Sequence, residues 1–198
     1  MTDAHRSSSQ TLYLASKSPR RRELLRQIGV PFQIVSVDVP EIHEPGEAPE
    51  TYVARLAAAK ARAGNRAVTL GADTIVVCDE RVLEKPVDEA DALAMLMQLS
   101  GRTHQVMSAV SLYTPARQLT RTSVTEVRFR VLSRAECSAY WRTGEPRDKA
   151  GGYAIQGLGA IFVASIQGSY SGVVGLPIEQ TWALLKAFGL TWWQGDGG

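Results

Sequence analysis

The chain is poor in cysteine, in long apolar runs and in net charge, and each shortage removes a class of function. Its two cysteines, Cys78 and Cys137, stand far apart and in no C-x-x-C pattern. They supply neither a disulfide framework nor a zinc site, and read as two reduced, packed thiols of a reducing compartment. No stretch approaches the roughly 18 consecutive apolar residues of a membrane-spanning helix. The first ten residues are polar and lack the apolar run of a secretory leader, so the cytoplasm is the expected location. Formal net charge is only +2, which leaves no bulk electrostatic case for nucleic acid or a membrane surface as partner. Internal repeats and low-complexity blocks are absent, as is the glycine-loop lysine of a Walker phosphate site. His43 and His104 are isolated, fit no metal spacing and receive no role.

What remains, 198 residues of which 44% are hydrophobic, is enough to bury a core without disulfides. Residues 11–190 are expected to form one domain, two lobes about a cleft, between a disordered tail over 1–10 and a C-terminal tail over 191–198. Residues 12–15 read as a short buried strand. Ser18 as cap and Pro19 at the first position then start a helix that Gly29 and Pro31 stop. A second strand over 32–37, an acidic loop over 39–49 and an Ala-rich helix over 50–63 follow. The β-branched runs 68–71 and 75–78 flank Ala72-Asp73-Thr74, and Asp79-Glu80 turns the chain into Arg81-Val82-Leu83. Asp88 caps a further helix, which Gly101 ends. Strands over 106–113 and 123–131 read as a hairpin with a polar loop between them. Ser133 and Glu136 fit a capping box. A glycine-rich stretch over 144–159, a strand over 161–166 and a helix over 178–188 complete the chain. Strands alternating with helices, some joined by hairpins, predict an α/β fold with a mixed sheet and flanking helices.

Several segments carry side chains suited to chemistry. In Ser16-Lys17-Ser18-Pro19-Arg20-Arg21 a strand runs into a helix start, whose backbone N–H groups attract anions. The helix dipole alone contributes about 0.3–1 kcal/mol, so side chains must supply much of any binding. Arg20 and Arg21 suit forked bonds to phosphate, or equally a solvated basic helix face. Asp73 sits where a buried strand emerges. It suits a divalent cation or the proton of an attacking water, or else a simple turn. Glu41, Glu44 and Glu47 form an acidic loop, which belongs near phosphates only if a hard cation bridges the like charges, and is otherwise solvated. Lys60 and Lys85 each offer a point charge to phosphate, or lie on the surface. Gln156, among Gly151, Gly152, Gly157 and Gly159, carries both a donor and an acceptor and so suits a base edge. The alternative is that the segment is only a special connection.

Taken in order, these segments resemble the Maf family of nucleotide pyrophosphatases. The resemblance rests on Leu14-Ala15-Ser16-Lys17-Ser18-Pro19-Arg20-Arg21, Gly71-Ala72-Asp73-Thr74, Lys85-Pro86, and Ser100-Gly101-Arg102-Thr103-His104-Gln105-Val106. Asp148-Lys149-Ala150-Gly151, Ile155-Gln156-Gly157, Gly168-Ser169-Tyr170 and Val173-Val174-Gly175-Leu176-Pro177 extend it. It implies a deep-clefted α/β fold related to that of inosine triphosphate pyrophosphatases. It also implies hydrolysis of a nucleoside triphosphate between the α and β phosphates with a divalent cation, Mg²⁺ or Mn²⁺. By the same resemblance Asp73 matches the catalytic acid–base position, and Ser16, Lys60 and Lys85 match residues that hold the triphosphate. Arg20, Thr74 and Gln156 match positions associated with substrate choice, and Glu41 an acidic position near the metal, beside Asp73. Ile155-Gln156-Gly157 with Thr74 looks like the subgroup acting on dTTP and UTP, with modified pyrimidine nucleotides in reach. The 7-methyl-GTP subgroup ranks second, and a non-hydrolysing nucleotide-binding regulator of cell division is the competing class. A homodimer is expected by analogy alone. Glu84 departs from the glycine that many members carry before Lys-Pro, and would strain a turn that needs positive φ. Trp192 and Trp193 fall outside the resemblance.

Overall fold

The computed structural model describes residues 11–190. The expectations for the two tails, Trp192 and Trp193 among them, lie outside those residues. The chain begins with β1 (Leu12–Ala15), α1 (Pro19–Gln27), β2 (Phe32–Val35) and α2 (Pro49–Ala63). Then come β3 (Thr69–Cys78), β4 (Arg81–Leu83), α3 (Glu89–Leu99), β5 (Thr103–Thr114), β6 (Arg117–Phe129) and α4 (Arg134–Arg142). Three short 3-10 turns lead to β7 (Val163–Gln167), α5 (Tyr170–Val174) and α6 (Ile178–Ala187). The strands make one mixed sheet in the order β2-β1-β3-β5-β6-β7, with β4 also paired to β3. β1 runs parallel to β2 and β3 because α1 and α2 serve as crossovers, while β3 to β7 are antiparallel neighbours. Among the described residues no helix is long and apolar enough to cross a membrane.

β3 is the central strand, and its alternation divides the core. Ile75 and Val77, with Met107 and Ala109 of β5, receive Tyr52, Val53, Leu56 and Ala57 of α2 on one face. Leu70, Ala72 and Val76 belong to the larger cluster on the other face, with Leu24 and Leu25 of α1, Leu96 and Leu99 of α3, and Leu184 and Leu185 of α6. Gly71 sets how closely α2 approaches. A Cβ there would lie 2.3 Å from the Ala61 nitrogen and 2.5 Å from the Ala57 carbonyl oxygen. Only a residue without a side chain lets the small face of α2 rest on the sheet at this point.

Two sequence expectations are corrected. Ala72-Asp73-Thr74 does not interrupt the strand. β5 pairs β3 continuously from Thr69↔Tyr113 to Val77↔Gln105, so Asp73 and Thr74 are mid-strand residues and not a strand mouth or a turn. The polar loop expected between the hairpin strands is strand as well, because pairing runs to Thr114↔Arg117 around Pro115-Ala116. Its residues are largely exposed, yet Gln118 donates from Nε2 to the Ala58 carbonyl of α2 at 2.8 Å and Thr122 donates from Oγ1 to Glu50 Oε1 at 2.6 Å, so this part of β6 lies along α2. Capping went as the residues indicated at α3 and α4. Asp88 Oδ1 accepts the Asp91 N–H at 2.8 Å, and Ser133 with Glu136 forms the full capping box.

The sheet edge shows where a ligand fits. β1 pairs β3 only as far as Ala15↔Gly71, and β4 pairs it only from Val76↔Leu83 onward. Residues 72–75 therefore have β5 on one side and no strand on the other. The β4 return depends on the Asp79-Glu80 turn, whose φ values of +50° and +62° are those of a type I′ hairpin loop. That hairpin brings Glu84 and Lys85 back beside the gap.

Behind the sheet, His104 donates to or accepts from the Tyr153 hydroxyl at 2.8 Å and meets Phe129 edge-on, while its Nδ1 has no partner among the described residues. Burial pushes its pKa down from 6.5 to about 4. The unfolded chain therefore binds a proton that the folded chain refuses between those values. The neutral ring's contribution is complete above pH 6.5 and is lost as pH falls towards 4. Urea unfolding across this window should show a loss approaching about 3 kcal/mol, and His104→Gln should flatten the profile. By the same method, Gly71→Ala should destabilise the fold by about 1–3 kcal/mol, through displacement of α2.

Candidate active site

Lys60 is the residue that α2 delivers. It follows Tyr52 and Leu56 at four-residue intervals, so the three share the helix face that lies on the sheet. Its ammonium donates to Asp73 Oδ1 and to Glu41 Oε1, each at 2.6 Å. Its side chain is 11% exposed and that of Asp73 is 9% exposed, so this pair sits in a region where charge is expensive to leave unmatched. Among the described residues the ammonium is the sole hydrogen-bond partner of the Asp73 carboxylate, and Oδ2 is left open. Glu41 also meets Lys85 Nζ at 3.4 Å. Burial alone would raise the Glu41 carboxyl, but the hydrogen bond and charge of Lys60, backed by Lys85, hold it below its usual range.

The acidic loop reaches this centre because another pair anchors it. Arg55 grips Glu47 through Nε and Nη2, both at 2.6 Å, and draws its carboxyl down to about 2. Glu44 lies 3.9 Å from the same guanidinium. Of the three loop glutamates, only Glu41 shares the Lys60 ammonium with Asp73; the other two fasten the loop to α2. Glu84 raises no strain, because its φ is not positive. It lines the cleft, and burial together with the Asp73 and Glu41 charges pushes its carboxyl up.

The start of α1 closes the other side of the gap. Ser18 occupies the cap position, yet its side chain caps nothing; Ser16 Oγ accepts the Ser18 N–H at 3.2 Å instead. The expected side-chain cap is thus absent, and Ser16 instead forms a local serine turn that precedes the helix. Arg21 spans the cleft wall, donating from Nε to the Gly175 carbonyl at 2.8 Å, from Nη1 to Ser16 Oγ at 3.3 Å and from Nη2 to Thr74 Oγ1 at 3.4 Å. Burial works against its charge, and the Asp73 carboxylate supports it. Thr74 points to the opposite face from Asp73 and shares a 2.8 Å hydrogen bond with Ser108, its register partner on β5. Arg20 is freer, with a single ion pair to Asp148 at 3.5 Å.

The site opens onto one cleft of about 640 Å³, within the usual range for small-molecule sites. Ser16, Arg20, Arg21, Glu41, Lys60, Asp73, Thr74, Lys85 and Gln156 all line it. Sequence reasoning passed over Tyr52, whose hydroxyl is pushed up to about 12 by burial and then by Glu84, Asp73 and Glu41. The four-residue spacing to Lys60 was the available signal. Ser108 was also missed, and Gly175 stood in a motif without a role, because no local pattern shows that a distant strand and loop meet at Thr74. Among the described residues no group of three or more His, Cys, Asp or Glu is arranged to hold a metal ion.

A cleft that pairs cationic side chains and helix-start N–H groups with a buried carboxylate suits a polyphosphate ligand. The family model for Maf-like protein matches residues 11–188, and this chain belongs to that family. A dTTP/UTP pyrophosphatase of Saccharophagus degradans is 60% identical over 195 residues, covering 94% of this chain and 93% of the relative. Relatives of the same description in Xanthomonas campestris and Aliivibrio fischeri are 54% and 52% identical, covering 90% and 89% of this chain and 98% and 97% of their own. Among solved structures, the Staphylococcus aureus Ham1 protein matches at a TM-score of 0.42 and 13% identity, covering 61% of this chain and 72% of its own.

The two neighbouring arginines should separate in stability. Arg21→Ala removes three bonds to fixed acceptors and should cost about 2–3 kcal/mol in urea unfolding. Arg20→Ala breaks one partly exposed ion pair and should stay within about 1 kcal/mol of the native protein.

Proposed function

We propose that this chain hydrolyses dTTP and UTP, and modified pyrimidine triphosphates of similar shape, to the monophosphate and pyrophosphate. The observation that carries this reading is the Asp73 carboxylate, buried at the cleft, tied to Lys60 through Oδ1 and open at Oδ2. The names of relatives at 50–60% identity supply the substrate class.

In this reading the triphosphate lies against the helix-start N–H groups, with Ser16, Arg20 and Arg21 on one side and Lys60 and Lys85 on the other. Asp73 Oδ2 takes a proton from a water, whose oxygen attacks the α-phosphorus. The α–β bridging oxygen leaves with pyrophosphate, and the lysine ammoniums stabilise its charge. Positioning and charge stabilisation supply most of the acceleration in such chemistry. Thr74 and Gln156 distinguish the nucleoside. Asp73 and Glu41 are hard oxygen donors and would hold Mg²⁺ or Mn²⁺ with phosphate oxygens completing the shell. This suits a cation commonly bound through one or two carboxylates plus substrate phosphates. When bound, the ion supplies Lewis-acid charge neutralisation on the phosphates. The reaction is the work of one domain over residues 11–190, acting in the cytoplasm, and a homodimer is the assembly to look for.

Pyrophosphate release from a panel of triphosphates with Mg²⁺ or Mn²⁺ tests the reading. The native chain should prefer dTTP and UTP, and Asp73→Asn should lower kcat by about 10²–10⁴-fold while the fold persists. Turnover confined to 7-methyl-GTP would keep the reaction and overturn the specificity. A near-normal rate in Asp73→Asn would overturn the mechanism, and nucleotide binding without turnover in the native chain would overturn the enzymatic reading.

A further inference from the structure

Gln156 has no regular secondary structure to hold it. It sits in a turn closed by the Gly157 N–H on the Ala154 carbonyl at 3.2 Å, and its side chain is exposed to the cleft. Both ends of that turn are fastened to one pair of side chains lying behind it. The Tyr140 hydroxyl, near the end of α4, accepts the Ala154 N–H at 3.0 Å and donates to Glu145 Oε1 at 2.6 Å. Glu145 in turn accepts the Leu158 N–H on Oε2 and the Gly159 N–H on Oε1, each at 3.0 Å. One carboxylate and one hydroxyl thus bind the backbone immediately before and after Ile155-Gln156-Gly157.

The glycines flanking Gln156 are shaped to this pair. A Cβ at residue 157 would lie 2.3 Å from Glu145 Oε2, and one at residue 159 would lie 2.7 Å from the Tyr140 hydroxyl. The pattern that reads as a glycine-rich ligand loop is, at these two positions, clearance for the Glu145 carboxylate and the Tyr140 hydroxyl. From the same segment Lys149 donates to the Glu145 carbonyl at 3.2 Å and pairs with Asp148, the partner of Arg20. This link towards Arg20 runs through the Glu145 main-chain carbonyl and not its carboxylate, so it survives a change of the Glu145 side chain.

We infer that Glu145, with Tyr140, is a positioning residue for nucleoside selection: it fixes the turn that presents Gln156 to the cleft without touching the substrate. The inference rests on the dTTP/UTP reading proposed above. Glu145→Gln keeps the size of the side chain but puts an amide donor against backbone N–H donors, so the turn loses an anchor while the phosphate side of the cleft is untouched.

The test compares native protein, Glu145→Gln, Tyr140→Phe, Gln156→Ala and the double variant Glu145→Gln/Gln156→Ala. Each is assayed with dTTP, UTP and dCTP and checked for folding by circular dichroism. Glu145→Gln should raise KM for dTTP and UTP by about tenfold with kcat within about threefold, the scale of a lost hydrogen bond to a charged group. The preference over dCTP should narrow, and inhibition by inorganic tripolyphosphate should not change. Tyr140→Phe should shift the same quantities by less. The double variant should be no worse than Gln156→Ala alone, because both changes act through one contact. Hydrogen exchange at the Ala154, Leu158 and Gly159 amides should quicken in Glu145→Gln, a readout that needs no substrate. Unchanged selectivity, additive losses in the double variant, weaker tripolyphosphate inhibition or unchanged exchange would each overturn the inference. A native chain that turns over neither dTTP nor UTP would instead overturn the proposed function, and the exchange result would still decide whether Glu145 holds the turn.

Discussion

An ammonium held 2.6 Å from two carboxylates is the interaction on which this site depends. A buried carboxylate such as Asp73 is tolerable only if its charge is matched, since desolvation penalties reach several kcal/mol per ion. Lys60 matches it, and it reaches Asp73 because α2 lies directly on Gly71. The same ammonium draws in Glu41 from a loop that Arg55 and Glu47 pin to the helix, and Glu41 draws in Lys85 from the β3–β4 hairpin. A glycine without a functional group of its own therefore sets the position of four charged side chains.

The second constraint is the gap at the β3 edge. Residues 72–75 lack a strand partner on one side, so a ligand there meets groups from both faces of the sheet. Asp73 faces α2 and Thr74 faces the larger core, yet both open onto one cleft. Under the proposed function, adjacent residues serve different ends, with proton transfer falling to one face and nucleoside contact to the other. Arg21 ties the far wall together by binding α1 to Gly175 and Thr74, which keeps the phosphate side and the Thr74 side in fixed relation. Arg20 is left comparatively free to meet a ligand.

Much of this was legible in the chain. Elements with strong local signals emerged near their expected bounds: α2 from its Ala-rich pattern and Gly64, α4 from its capping box, β4 from the Asp79-Glu80 turn. Failures came where tertiary pairing overrode local character. Thr120, Arg121 and Thr122 read as loop because they are polar, but β5 pairs with them, and the Thr120 and Thr122 hydroxyls donate to Ser111 and Glu50. Asp73 read as a strand end because a carboxylate breaks an apolar run, but Lys60 makes it acceptable mid-strand. The site residues were recognisable as an ordered set of motifs; their roles as partners were not. No spacing rule reveals that Lys60 meets Asp73 or that Arg21 meets Gly175, because those contacts join elements far apart in sequence. The clearance needed by Glu145 and Tyr140 likewise disguised itself as a ligand loop.

Under the proposed function, the Lys60 charge, set between Asp73 and Glu41, makes this cleft a reaction centre. The most direct test is kcat/KM for dTTP in Lys60→Met, which preserves the length of the side chain and removes its charge, measured where circular dichroism shows the protein folded. The expected loss is at least about 100-fold, the scale of removing one preorganised charge or donor from a transition state. A folded Lys60→Met with nearly native kcat/KM would contradict it.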